Sequence, residues 1–169
     1  NIANNNITSE EKKVKLIEEF EHNFIFLVDG KLVSNNFDLE DKNNIFINDY
    51  NYKNEIKFDK QSSLTLLNNA LATGGFTLEI SKNYKFKKPL VIYNYFSKNL
   101  KESIINNKNS VILNDETELT LINYIDNDSK DNFMTNTIDN ILIKKNASLK
   151  NIFINNSRCN GYFYRYIKS

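Results

Sequence analysis

The sequence predicts a mainly β protein: a right-handed β-helix, or β-solenoid, preceded by a small α+β portion. Two observations carry the solenoid. Val111-Ile112-Leu113, the polar step Asn114-Asp115-Glu116-Thr117, and Leu119, Leu121 and Ile122 overlay on Ile141-Leu142-Ile143, Lys144-Lys145-Asn146-Ala147, Leu149 and Ile152. The period is about 30 residues, within the range at which repetition signals stacked units. Phe76, Leu78 and Ile80 alternate with Thr77 and Glu79, the two-residue period of a half-buried strand. A third observation sets the boundary: helical spacings and a hairpin signal fill the chain only ahead of Phe76. The organisation is therefore residues 1–75 as the α+β portion and 76–169 as the first turns of the β-helix. A β-sandwich also uses short strands parted by polar turns, and the repeat is what favours the solenoid.

The elements follow in order. Thr8 with Glu11 makes a capping-box pattern, and Val14, Ile17, Phe20 and Phe24 recur at helical spacing, so a helix is expected from Ser9 to Glu21. Such an amphipathic helix more often covers its own domain than binds a partner. Asp29-Gly30 between Phe24–Val28 and Lys31–Val33 predicts a hairpin with a type I′ turn. Ile45–Ile47 and Glu55–Phe58 are further strand candidates. Leu64, Leu67 and Leu71, with Ala70 beside them, predict a helix with an apolar face, stopped by Gly74-Gly75 through glycine's freedom at positive φ. After Phe76–Ile80 come a turn at Ser81-Lys82-Asn83 and a strand bounded by Pro89, and Tyr84 and Phe86 give a looser third copy of the repeat. The last strand, Tyr162–Ile167, reaches almost to Ser169 and would leave an open solenoid edge, so the chain is expected to be the N-terminal part of a longer protein.

Composition excludes several functions. The net charge of +1 lacks the basic excess of a phosphate-tracking surface, so no nucleic-acid partner is expected. No apolar run approaches the roughly 18 residues of a membrane span. One cysteine, Cys159, rules out an intrachain disulfide framework and fits a reducing, cytoplasmic setting. The abundance of Asn, Lys and Ile reads as the imprint of an AT-rich genome, which makes the Asn runs weak evidence for function.

No catalytic, cofactor-binding or metal residue is predicted. The single histidine, His22, sits at a predicted helix end, where it suits the last carbonyls. Gly74-Gly75 follows its helix, whereas phosphate loops precede theirs. The acid pairs Glu40-Asp41, Asp115-Glu116 and Asp126 with Asp128 fall in predicted turns, where such residues serve their own backbone. Tyr162-Phe163-Tyr164 with Tyr166 reads as a strand with one core face. Cys159 is the one candidate thiol for a metal or sulfur role, because Arg158 beside it would favour the thiolate. A buried structural cysteine is the plainer reading, and one thiolate cannot hold a cluster that takes about four ligands.

The string Leu67-Asn68-Asn69-Ala70-Leu71-Ala72-Thr73-Gly74-Gly75, then Leu78 and Ile80, then Pro89-Leu90, resembles the entry motif of the SufB/SufD iron–sulfur cluster assembly scaffolds, LNxAxxxDG followed by LxVPxG and a Pro-Ile. Gly74, Ser81 and Asn83 stand where that family favours Asp, Pro and Gly. The similarity is nearer the SufD branch. It implies a β-helix and a cytoplasmic, non-catalytic scaffold subunit. It also implies pairing with a SufB-like partner through the β-helix, and with a SufC-like ATPase through a C-terminal helical region outside this chain. The iron–sulfur cluster would be assembled on the full complex rather than held by this segment. The competing expectation is an extracytoplasmic carbohydrate-active or adhesive β-solenoid, and a purely structural repeat protein is a third.

Overall fold

The computed structural model describes residues 17–50, 62–156 and 161–169. The order of elements is β1 (Asn23–Val28), β2 (Lys31–Asn36), a short 3-10 turn (Lys42–Asn44), β3 (Ile45–Asp49), α1 (Ser63–Leu71), β4 (Phe76–Ile80), β5 (Leu90–Phe96), β6 (Ser103–Leu113), β7 (Glu118–Asn127), β8 (Phe133–Ile143), β9 (Ser148–Asn155) and β10 (Tyr162–Lys168). The fold is mainly β. Two five-stranded sheets form, ordered β2-β1-β5-β7-β9 and β10-β8-β6-β4-β3. From β4 onward, consecutive strands alternate between the two sheets.

Within each sheet the neighbours among these later strands are parallel, and their register reproduces the sequence repeat. Val111, Ile112 and Leu113 lie opposite Ile141, Leu142 and Ile143, and Leu119 opposite Leu149. The looser copy also holds, since Lys85 bridges to Glu118 and Phe86 N–H donates to the Glu118 carbonyl at 3.0 Å. The turns stack with the strands. Asn83, Glu116 and Asn146 each adopt a left-handed backbone, with φ of 66°, 61° and 55°. Asn83 N–H donates to Asp115 O at 2.8 Å, and Glu116 N–H to Lys145 O at 3.0 Å.

The strands before residue 75 join the same two sheets. β1 and β2 form the expected hairpin, with both Asp29 (φ 50°) and Gly30 (φ 80°) in the left-handed region that a type I′ turn requires. β1 then pairs in parallel with β5, and β3 pairs antiparallel with β4. Between the sheets lies a core of Ile25, Leu27, Ile45, Phe76, Leu78, Ile80, Leu90, Ile92, Val111, Leu113, Leu119 and Leu121. Alternation sends Phe24, Phe26, Val91, Tyr93, Tyr95 and Ile122 to the other face of the first sheet, where they form a second cluster with Ile17. β1 is thus apolar on both faces, which is why NFIFLV reads as a continuous run.

Three expectations change here. The apolar face foreseen for α1 is not the buried one: Thr65 and Asn68 are buried, while Leu71 is 55% exposed. The sheet surface under the helix carries Asn106, Asn107 and Asn136, so a polar helix face is what it can satisfy. The helix also ends before the glycines, at Leu71, with Ala72 already extended (ψ 131°). Gly74-Gly75 instead permits close approach of backbones. A Cβ on Gly75 would lie 1.6 Å from the Lys108 carbonyl oxygen, at φ +117°, and one on Gly74 would lie 2.4 Å from Gly30 O. Finally, Ile17–Glu21, the described end of the first predicted helix, is not helical. Ile17 N–H is drawn to the Tyr93 hydroxyl at 3.0 Å, so the sheet surface fixes this stretch. Thr8, Glu11 and Val14 of that helix, and the Glu55–Phe58 strand, lie outside the described residues.

Candidate functional site

Both sheets end on the same side, the first at β9 and the second at β10. Among the described residues no strand pairs with the outer side of either. These edges and the end of β8, where β10 no longer pairs, carry an apolar tract: Leu142, Ile143, Phe153, Ile154, Tyr162 and Ile167 are all at least 40% exposed, Tyr162 reaching 75%. The opposite ends are β2 and β3, each joined to its sheet by antiparallel pairing. An exposed edge offers backbone N–H and C=O groups to an incoming strand, and an apolar tract gives that strand something to cover.

Behind this edge lies a buried polar cluster that strand-by-strand reading missed. Asp139 of β8 receives the Arg165 Nε–H of β10 and the Asn109 Nδ2–H of β6, the latter at 2.8 Å. Arg165 also donates through Nη2 to Asn123 Oδ1 at 2.8 Å and stacks over the Phe153 ring at 4.6 Å, reaching both β7 and β9. Its signal in the sequence was slight, because an arginine flanked by tyrosines in a strand reads as an exposed residue.

A second cluster fastens α1. Asn68 Nδ2 donates to the carbonyls of Asn107 (3.1 Å) and Asn136 (2.5 Å), which belong to adjacent strands. Asn136 Nδ2 returns hydrogen bonds to Leu64 O (2.8 Å) and Asn106 Oδ1 (2.9 Å). Ser62 caps the helix by accepting from Thr65 N–H at 3.2 Å.

The acidic residues singled out in the sequence each have their own partners, and the three pairs are not brought together. Glu40 is buried and accepts from Asn23 Nδ2, the backbone N–H groups of Lys87 and Lys88, and the Tyr84 hydroxyl. Burial, reinforced by the Glu40 carboxylate, pushes the Tyr84 hydroxyl up to about 12. Asp41 caps the 3-10 turn at Asn43 N–H (3.1 Å). Asp128 accepts from Tyr95 at 2.9 Å, and Asp126 from Asn127 N–H. Asp115 faces Lys82 at 3.7 Å, and Glu116 accepts from Asn146. Only Asp41 and Asp126 bond neighbouring backbone as expected, and Asp126 does so from within β7; Glu40, Asp115, Glu116 and Asp128 meet partners distant in sequence, because the stacked strands bring them alongside.

His22 contacts a carbonyl as expected, though not at a helix end. Its Nδ1 lies 2.9 Å from Phe20 O, which can only accept, so Nδ1 donates there, and Nε2 is hydrogen-bonded to the Tyr93 hydroxyl at 2.8 Å. Burial raises Tyr93 to about 12, with the Ile17 N–H pulling the other way. Cys159 and Arg158 lie outside the described residues. Among those described, no three His, Cys, Asp or Glu side chains gather as a metal site, and no helix is long and apolar enough to cross a membrane.

Fold and site together define a mainly β protein with stacked parallel strands and an apolar strand edge. Comparison with protein-family models and with curated proteins finds no match.

Proposed function

We propose that this chain is a non-catalytic scaffold segment of the SufB/SufD type, acting in cytoplasmic iron–sulfur cluster assembly and built as a right-handed β-solenoid. The observation that carries the reading is the role of the residues behind the family resemblance. Asn68 and Gly75, the Asn and the final Gly of the LNxAxxxDG-like string, both help to fasten the helix segment to the strand stack, one through two carbonyls and the other by contact with the Lys108 backbone. A motif with that purpose belongs to a stacked β architecture rather than to a reaction centre. Parallel neighbours set 30 residues apart, with turns stacked in step, support the solenoid.

In this reading the β9 and β10 edges align with strands of a SufB-like partner. The cluster is cargo, assembled at the interface of the complex, and a SufC-like ATPase supplies the energy. The test is to express the full-length protein with a cleavable tag beside a SufB-like scaffold and a SufC-like ATPase. Co-purification of the three, with iron and sulfide bound after anaerobic reconstitution, supports the proposal. Failure of both co-purification and cluster formation sinks it, and glycan binding by the isolated chain would move the assignment to an adhesive solenoid.

A further inference from the structure

We propose that the Asp139–Arg165 pair, with its carboxylate buried and its guanidinium partly exposed, is a register lock: it selects which of several near-equivalent alignments β10 adopts on β8. Among the described residues β10 pairs on one side only, in parallel with β8, with Tyr162 opposite Met134 and Arg165 opposite Thr137. A slip by one residue would turn Phe163 and Arg165 away from Phe96, Phe133 and Asp139, and the alternation of side chains disfavours it. A slip by two leaves every side chain on its own face. On the outer face that exchange is nearly silent, because the row is Tyr162, Tyr164 and Tyr166 and one tyrosine replaces another. Alternation therefore leaves the register of this strand undecided.

The other row, whose Phe163 and Arg165 are half-buried while Ile167 is exposed, breaks the tie. Phe163 packs against Phe96 and Phe133, with ring centroids 5.8 and 5.7 Å away. Arg165 meets Asp139, Asn123 and the Phe153 ring together. Slipping β10 so that Tyr164 faces Met134 carries the guanidinium away from Asp139 and leaves a buried carboxylate without its cation. Slipping it the other way keeps Asp139 within reach, but takes Phe163 out of its aromatic trio and the guanidinium off Asn123 and Phe153. The ion pair guards one direction and the aromatic trio the other. Such a pair contributes little net stability against a well-packed apolar pair, whereas a wrong alignment that leaves the buried Asp139 carboxylate without its cation is heavily penalised. Its effect is specificity of alignment. This inference stands apart from the proposed assembly role.

Disulfide trapping in the full chain, with Cys159→Ser as background, reads the register directly. Met134→Cys combined with Tyr162→Cys reports the observed alignment, and Met134→Cys with Tyr164→Cys reports the slipped one. The parent should trap the first and scarcely the second. Arg165→Met should raise the slipped product at least about tenfold relative to the parent, as expected when a registry charge is removed. Because that variant leaves Asp139 buried alone and could fail to fold, the double variant Asp139→Leu/Arg165→Met is the second test. It should remain folded and trap both products. A folded double variant that traps only the first product overturns the lock. So does a double variant that loses its fold outright, since the pair would then be supplying stability instead of alignment.

Discussion

Asn68 offers the sharpest test of how the helix is fastened. Its side chain is fully buried, and its amide nitrogen is the donor to two carbonyls, Asn107 O and Asn136 O. Asn68→Ala removes both bonds and leaves a small void. At about 1 kcal/mol net for each bond, with a further contribution from stranded carbonyls and the void, the loss should be about 2–4 kcal/mol. Asn68→Asp is the more telling change, because it keeps the shape and replaces the donor with an acceptor. A carboxylate facing two carbonyl oxygens in a buried site is worse than nothing, so this variant should fall below the alanine variant by about 1–3 kcal/mol at pH 7. The sign of the pH effect follows. The fold favours the protonated acid, which can still donate one hydrogen bond, so the introduced carboxyl titrates above its ordinary value of about 4 in the folded state. The variant's stability relative to the parent is then best below that value and is lost as pH rises through the folded-state titration. Urea unfolding followed by circular dichroism at pH 5 and pH 7, on parent and both variants, measures this. An aspartate variant at least as stable as the alanine variant at pH 7, or one whose deficit does not grow between pH 5 and 7, would refute the assignment of Asn68 as a buried double donor.

Three further outcomes are expected. Gly75→Ala places a Cβ 1.6 Å from Lys108 O at a φ that disfavours side chains, so β4 and β6 cannot keep their spacing; a thermal melt should show a loss of more than about 4 kcal/mol or no folded protein, and a mild effect would mean the backbones are further apart. Glu40→Gln keeps the size of a carboxylate that four donor groups share, and should cost about 1.5–3 kcal/mol by chemical denaturation; an unchanged midpoint would show that the negative charge is not needed there. The Tyr93 hydroxyl, raised by burial to about 12 from its ordinary 10, contributes stability that is complete below pH 10 and is lost as pH climbs toward 12, at about 1.4 kcal/mol per unit. Melts at pH 9, 10 and 11 should show a shallower alkaline decline for Tyr93→Phe than for the parent, and equal slopes would count against it.

What could be read from the sequence, and what could not, divides along one physical line. In stacked parallel strands a repeat in the sequence is a pairing in space, so Val111 over Ile141 and Leu119 over Leu149 were visible as soon as the two stretches were overlaid. Asp29-Gly30 was legible for an equally local reason, because few dipeptides accept two consecutive positive φ angles. The errors came where burial is polar. α1 was assigned by its leucines, yet the surface beneath it presents asparagine, and the face that matches asparagine is Thr65 and Asn68. Asp139 and Arg165 were passed over because a charged residue in an alternating strand is normally assigned to solvent, and only the third dimension brings Asn109, Asn123 and Phe153 around them. An apolar column declares itself by its composition, whereas a buried polar column looks like surface until its partners are known. In a chain this rich in asparagine the ambiguity is at its greatest.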